Sequence, residues 1–196
     1  PQEQIIDSQS ESRDVFFVVK GLVRVVNYSV SGREVTLDDI GVGGYFGELA
    51  AIDGQPRSAS VMAKDETLTA AMTPEVFQRL LRSHAIVAMA VIERLVGVVR
   101  QSTGRIMDLS TLGANNRVHA ELLRQARLVT GDGMTAEIRP IPLHADIASR
   151  VSTTRETVAR VLNDLVRDGL LERRKDALVL LDMPRLECMV EELRGV

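Results

Sequence analysis

Between Ser83 and Leu112 the chain carries apolar or small residues at alternating spacings of three and four: Ala88, Val91, Leu95, Val98, Ser102, Leu109 and Leu112, with only Arg105 off type. A period of about 3.5 residues, held over several turns with no proline to interrupt it, predicts one long helix bearing a seam for a partner helix. Such a helix outruns any small domain that precedes it, and Gly113, Asn115 and Asn116 mark a break at its far end. The expectation is a spine, residues 83–112, that pairs two subunits and joins an N-terminal domain, residues 1–82, to a C-terminal one, residues 113–196. A core helix packed within one subunit is the alternative. The length, and the polar pair Ser102 and Thr103 on or beside the seam, favour pairing.

Ahead of the spine the sequence reads as sheet. Val15–Val19 is β-branched and aromatic, and Leu22–Tyr28, Glu34–Leu37, Ser58–Met62 and Thr67–Met72 follow in strand-like composition, separated by glycines and a Ser31-Gly32 turn. Many short strands with glycine-rich turns predict a small antiparallel barrel or roll. Pro74, followed by Glu75 and the apolar Val76, Phe77, Leu80 and Leu81, predicts a helix start.

One stretch breaks the strand pattern: Gly43-Gly44-Tyr45-Phe46-Gly47-Glu48-Leu49-Ala50-Ala51, then Asp53-Gly54-Gln55-Pro56-Arg57-Ser58-Ala59. A glycine ahead of a few good helix formers offers free backbone amides to an anion. Arg57 adds a charged fork suited to phosphate oxygens, and Ser58 a hydroxyl. Glu48 would be repelled by a phosphate unless it accepts hydrogen bonds from something else, as from a sugar hydroxyl. A loop with an ordinary surface Glu–Arg pair fits the same residue types.

Beyond the break, residues 117–128 read as a helix, Thr130–Gly133 as a turn cluster, and Ile138–Leu143 as at most a short edge strand because of its prolines. His144 to Leu162 then has the pattern of two short helices joined by a tight turn. Ile147, Val151, Val158 and Val161 face inward, Ala148 sits at the crossing, and Thr153 or Thr154 caps the second helix. Arg155, Glu156 and Arg160 fall away from those core positions; a solvated face, or a Thr153–Glu156 capping box, is the competing reading. Leu170–Glu172 and Leu178–Leu181 flank the basic turn Arg173-Arg174-Lys175, a wing able to meet phosphates, and Pro184–Leu193 is an amphipathic helix.

Phe46-Gly47-Glu48-Leu49 with Arg57-Ser58-Ala59 resembles the phosphate-binding cassette of cyclic-nucleotide-binding domains, specifically in the cyclic AMP receptor protein and FNR superfamily of bacterial regulators. Arg155-Glu156-Thr157-Val158 is similar to that superfamily's recognition helix, and the likeness extends over nearly the whole chain. It implies an α+β fold: an N-terminal antiparallel β-roll, a long dimerisation helix and a C-terminal winged helix-turn-helix. It implies Glu48 on the ribose 2′-hydroxyl and Arg57 with Ser58 on the cyclic phosphate. Gly47, Leu49, Ala50 and Ala59 complete the cradle, and Ser102 and Thr103 reach adenine within and across the dimer. On DNA it implies Arg155 on guanine, Glu156 on a cytosine amino group, Arg160 on a further base and Thr157 on phosphate, with His144, Thr154 and Lys175 as further contacts. The implied effector is cyclic AMP, with cyclic GMP, another ligand or none as alternatives. The implied partners are double-stranded DNA with inverted half-sites, a second copy of the chain and RNA polymerase. Two departures stand out. Val98 occupies the place of a frequent helix arginine, and Ser152 replaces the usual glycine of the turn.

The 196 residues allow two small cores, and a net charge of −3 gives no general attraction to nucleic acid. DNA affinity must come from local placement, since residues 1–109 hold 11 basic and 14 acidic side chains and the remainder 13 of each. One cysteine, Cys188, excludes an intrachain disulfide, an iron–sulfur cluster and a structural zinc site held by cysteines. His84, His119 and His144 all lie outside the sheet, which argues against a haem sensor and a metal-dependent barrel enzyme. No nucleophile with a base or metal partner is evident, so an enzyme is not expected. The absence of a long apolar run points to a chain that spans no membrane and works in the cytoplasm. Because the sequence opens at Pro1 and reads as strand almost at once, a further N-terminal segment is expected. A nucleotide-sensing module that binds protein instead of DNA is the remaining alternative.

Overall fold

The computed structural model describes residues 2–126 and 133–194, the last two by backbone alone, in two compact units, Pro1–Val98 and Val99–Val196. In the first unit, strands β1 (Gln4–Ile6), β2 (Val15–Lys20), β3 (Val23–Tyr28), β4 (Glu34–Ile40), β5 (Tyr45–Phe46), β6 (Ser60–Ala63) and β7 (Leu68–Met72) form two antiparallel sheets, ordered β1-β6-β3-β4 and β5-β2-β7. Val18 of β2 joins Ile6, Val23, Ile40, Phe46 and Val61 in one buried core, while Val15, an odd number of residues away and so on the opposite face, packs with Ala51, Phe77 and Val91 in a second. The β2–β3 turn requires Gly21: its φ is +86°, and a Cβ there would stand 2.6 Å from the Glu66 carbonyl oxygen. β1 agrees with the strand expected just after Pro1, whereas β5, two residues long, is a strand that periodicity did not reveal.

Helix α1 (Glu48–Asp53) follows β5, and α2 (Pro74–Ser83) follows β7 with Thr73 at its N-cap and Pro74 in its first turn. His84 is extended: its amide closes α2 on the Leu80 carbonyl, and its own carbonyl receives Val87 and Ala88 at the start of α3 (Ala85–Thr111). Ser83 therefore ends α2 instead of opening the spine.

The expected seam also needs correction. Val91 is buried and Leu95 packs beside it against Val15, Phe17, Tyr45 and Phe77, so these two residues serve the roll's own core. The apolar residues that α3 leaves exposed include Ile86, Val98, Met107 and Leu109; with them, Met89, Ile92, Val96, Val99 and Ile106, each 47–63% exposed, alternate at three and four with Thr103 completing the series. This exposed stripe lies one residue on from the expected seam, roughly 100° around the helix axis.

The second unit holds the end of α3, α4 (Ala114–Ala126), β8 (Ala136–Ile138), α5 (His144–Arg150), α6 (Arg155–Arg167), β9 (Leu171–Arg173), β10 (Leu178–Leu180) and α7 (Met183–Arg194). Leu112, expected on the seam, is buried in this unit's core, and the break is Leu112-Gly113; Asn115 and Asn116 already lie in the first turn of α4. The helix end expected at Leu128 and the Thr130–Asp132 part of the turn cluster fall outside the described residues. β8 is an edge strand, order β8-β10-β9, but it precedes Pro140 and Pro142 instead of including them. Leu122, Ile147, Val158, Leu162, Leu165, Leu178 and Leu180 fill the core, and α7 closes it with Met183, Leu186 and Val190. The Glu121 carboxylate, almost wholly buried, is compensated by ion pairs with Arg124 and, at 3.8 Å, Arg150; Arg124 also bonds Asp108 at 2.8 Å.

Candidate ligand site and nucleic-acid interface

Gly47 makes the turn from β5 into α1 with φ +86°, and a Cβ there would stand 2.6 Å from Arg57 Nη1 and 2.7 Å from the Asp14 carbonyl oxygen. Only glycine lets the chain turn this tightly beside an arginine. Arg57 is 7% exposed; Nη1 donates to the Gly47 carbonyl at 2.9 Å, and Nη2 donates to the Asp14 carbonyl at 2.9 Å and to Ser12 Oγ at 3.1 Å. Its Nε is buried and has no partner. Glu48, first residue of α1, is also buried, with Ala50 and Ala59 beside it in sequence as buried small residues; the side chains of Leu49 and Ser58 are exposed. Burial pushes the Glu48 carboxyl above the usual carboxylate range, opposed by its own backbone amide, Arg94 and Arg57, while Asp38 adds to the rise. This is not the solvated Glu–Arg pair of the alternative reading. Two desolvated, opposite charges share one corner of the roll, and a buried guanidinium nitrogen there lacks an acceptor.

Arg94, from α3, belongs to the same corner, and no motif pointed to it. It lies over the Tyr45 ring, 5.1 Å from the centroid, and 3.7 Å from Asp38. It stands four residues before Val98, one helical turn back. Ser102 and Thr103 are exposed residues of α3 in the second unit, and the Thr103 hydroxyl donates to the Val99 carbonyl at 2.9 Å.

In the second unit α5 and α6 form the helix-turn-helix. The turn is held by Arg117, which also escaped the sequence reading: Nε donates to the Val151 carbonyl at 2.8 Å, Nη2 to that of Ser152 at 3.2 Å, and Nη1 to that of Leu112 at 2.9 Å. Ser152 adopts φ +52°, the left-handed conformation for which glycine is better suited. Thr154, not Thr153, caps α6, its hydroxyl accepting from the Thr157 amide at 3.2 Å. Arg155, Glu156 and Arg160 are exposed along α6, and Arg160 reaches Asn115 Oδ1 at 3.5 Å. Glu156 is held low chiefly by its own backbone amide and by the Thr154 hydroxyl, with Arg155 contributing, so the cap takes part of this carboxylate's hydrogen-bonding capacity. His144 opens α5. In the wing, Arg173 donates to Asn163 at 3.0 Å and Arg174 to Glu172 at 3.0 Å, whereas Lys175 is exposed without an ion pair among the described residues.

Residues 1–84 match the family model of the cyclic nucleotide-binding domain, and residues 116–189 that of the Crp-like helix-turn-helix domain. The cyclic AMP receptor protein of Thermus thermophilus is 33% identical over 172 residues, 87% of this chain and 77% of the relative. The chain belongs to the cyclic AMP receptor protein and FNR superfamily. Another relative, the cAMP-activated global transcriptional regulator Vfr of Pseudomonas aeruginosa, is 29% identical, over 90% of this chain and 84% of its own length. Among solved structures, a CRP-family transcriptional regulator from Thermus thermophilus superposes with a TM-score of 0.72 at 28% identity, covering 97% of this chain and 94% of its own. A mutant CooA from Carboxydothermus hydrogenoformans has the same fold, with a TM-score of 0.84 at 23% identity over 96% of this chain and 84% of its own. The superfamily's members are transcription regulators, not enzymes; they bind DNA and work as dimers. No described helix is long and apolar enough to cross a membrane.

Proposed function

We propose that this regulator is a homodimer whose affinity for DNA is set by a cyclic nucleotide, cyclic AMP, bound in the β-roll. The observation that carries the reading is the buried Glu48–Arg57 corner with an acceptor missing at Arg57 Nε. The residues fit the ligand's chemistry: an acceptor carboxylate for a ribose hydroxyl, an arginine and the Ser58 hydroxyl for the phosphate, and small Gly47, Ala50 and Ala59 leaving room beside them. Leu49 would contribute through its backbone. In the structure the Arg57 fork is spent on backbone carbonyls, so it offers the phosphate Nε or exchanges one of those contacts for it. Ser102 and Thr103 would read the base. An effector shifts the protein toward a DNA-competent state only by binding that state better, and contacts from the pairing helix supply the difference.

On DNA, Arg155, Glu156 and Arg160 would read base edges in the major groove, with Thr154, Thr157, His144 and Lys175 on the backbone. A two-fold dimer calls for inverted half-sites about one helical turn, ~34 Å, apart. RNA polymerase is the expected further partner, in the cytoplasm. Arg155→Ala is expected to cost ~1–3 kcal/mol at the cognate guanine and to relax preference there, whereas Lys175→Ala weakens all sequences about equally. Competition gel shifts with operator and random DNA measure both. Equal weakening of operator and random DNA by Arg155→Ala would refute base reading by that residue.

A further inference from the structure

The Arg94 side chain is 29% exposed, yet the guanidinium makes no hydrogen bond among the described residues. Three other arginines of the fold make such bonds: Arg24 holds Asp39 with two of 2.7 and 2.8 Å, Arg57 makes three through its Nη atoms, and Arg117 makes three. Arg94 has only the face of Tyr45 and, at 3.7 Å, an Asp38 oxygen too distant for a hydrogen bond. Its Nε is buried and unpartnered, and so are the Tyr45 hydroxyl and Arg57 Nε. Each unmade bond of this kind destabilises the fold as it stands. All three groups act on one carboxyl or its neighbour: Arg94 and Arg57 both draw Glu48 down, and Tyr45 is perturbed by both Glu48 and Arg94.

An arginine stacked on Tyr45, with its Nε, the Tyr45 hydroxyl and Arg57 Nε all buried and unpartnered, is poorly explained as a structural clamp, since a clamp is stable through the bonds it makes. These groups suit an anionic ligand that also carries a hydroxyl for Glu48. We infer that Arg94 is a second arginine of the ligand site, donating to the anionic ester of a bound nucleotide, so that the roll supplies one guanidinium and the long helix the other. It does so one turn from Val98, where the sequence has no basic residue. The inference rests on the proposed nucleotide site and adds to it a direct grip of the ligand on α3. That grip holds the segment where Val91 and Leu95 already pack against the roll. Asp38 becomes the residue that holds Arg94 in readiness until the ligand competes for it.

The test is calorimetric titration of full-length wild type, Arg94→Ala, Arg94→Gln, Arg94→Lys and Arg57→Ala with cyclic AMP at low and high salt. Arg94→Ala and Arg94→Gln are expected to weaken binding tenfold or more and to flatten the dependence of Kd on salt, with Arg94→Lys recovering part of both. A clamp would alter melting temperature but leave the salt dependence intact. Should Arg94→Ala fail to fold, Arg94→Gln, which keeps part of the stem and a polar head without the charge, decides. A folded variant lacking the Arg94 guanidinium, with wild-type affinity and salt dependence, overturns the inference. Full affinity in Arg57→Ala would instead overturn the nucleotide site itself, so the two failures are distinct.

Discussion

Replacing Arg57 by alanine is expected to weaken cyclic AMP binding by about a hundredfold or more. A hydrogen bond from a charged donor contributes about 1.5–3 kcal/mol, and the loss is larger when the phosphate remains desolvated with nothing opposite it. The arginine also ties the Gly47 and Asp14 carbonyls and Ser12 together, so its removal leaves buried acceptors unpaired and lowers the melting temperature as well. Arg57→Lys separates the two effects: it keeps the charge but cannot hold two carbonyls with a planar fork, and should fall between wild type and alanine. Calorimetry on variants shown to be folded reads the result. Unchanged affinity in folded Arg57→Ala would place the ligand elsewhere.

The second large effect is at the seam. Val99→Asp puts a carboxylate on the stripe formed by Met89, Ile92, Val96, Val99, Thr103 and Ile106, and two-fold symmetry doubles it across the pair. Desolvating such an ion costs roughly several kcal/mol, so the dimer dissociation constant should rise by a factor of a thousand or more. Operator affinity should collapse with it. Val98→Asp, one position away on the register that periodicity favoured, should be far milder. Analytical ultracentrifugation distinguishes them, and a larger effect from Val98 than from Val99 would restore the original seam.

That register was illegible for a physical reason. α3 places apolar residues side by side, Val91-Ile92, Leu95-Val96 and Val98-Val99, so two stripes of the same period run along it. Which one faces outward depends on what covers the other. Phe17, Tyr45 and Phe77 do so from distant positions in the chain. Arg94 and Arg117 were missed in the same way, because their partners, Tyr45 and Asp38 for one and the carbonyls of Val151 and Ser152 for the other, lie far off in sequence. What was legible was local. Gly47 beside Glu48, Pro74 opening a helix, a threonine at 153 or 154 capping the second helix of the pair and the inward Ile147–Val161 set each record a constraint met within a few residues. Short β5 fell below that range, since two residues display no period.

If the nucleotide and DNA sites share one equilibrium, linkage makes their effects reciprocal. The most direct measurement is operator affinity of the wild-type dimer with and without saturating cyclic AMP at fixed salt. The nucleotide is expected to tighten operator binding by roughly 5–150-fold, equivalent to about 1–3 kcal/mol of coupling. Identical operator affinity in both conditions, with cyclic AMP verified as bound, would contradict that coupling.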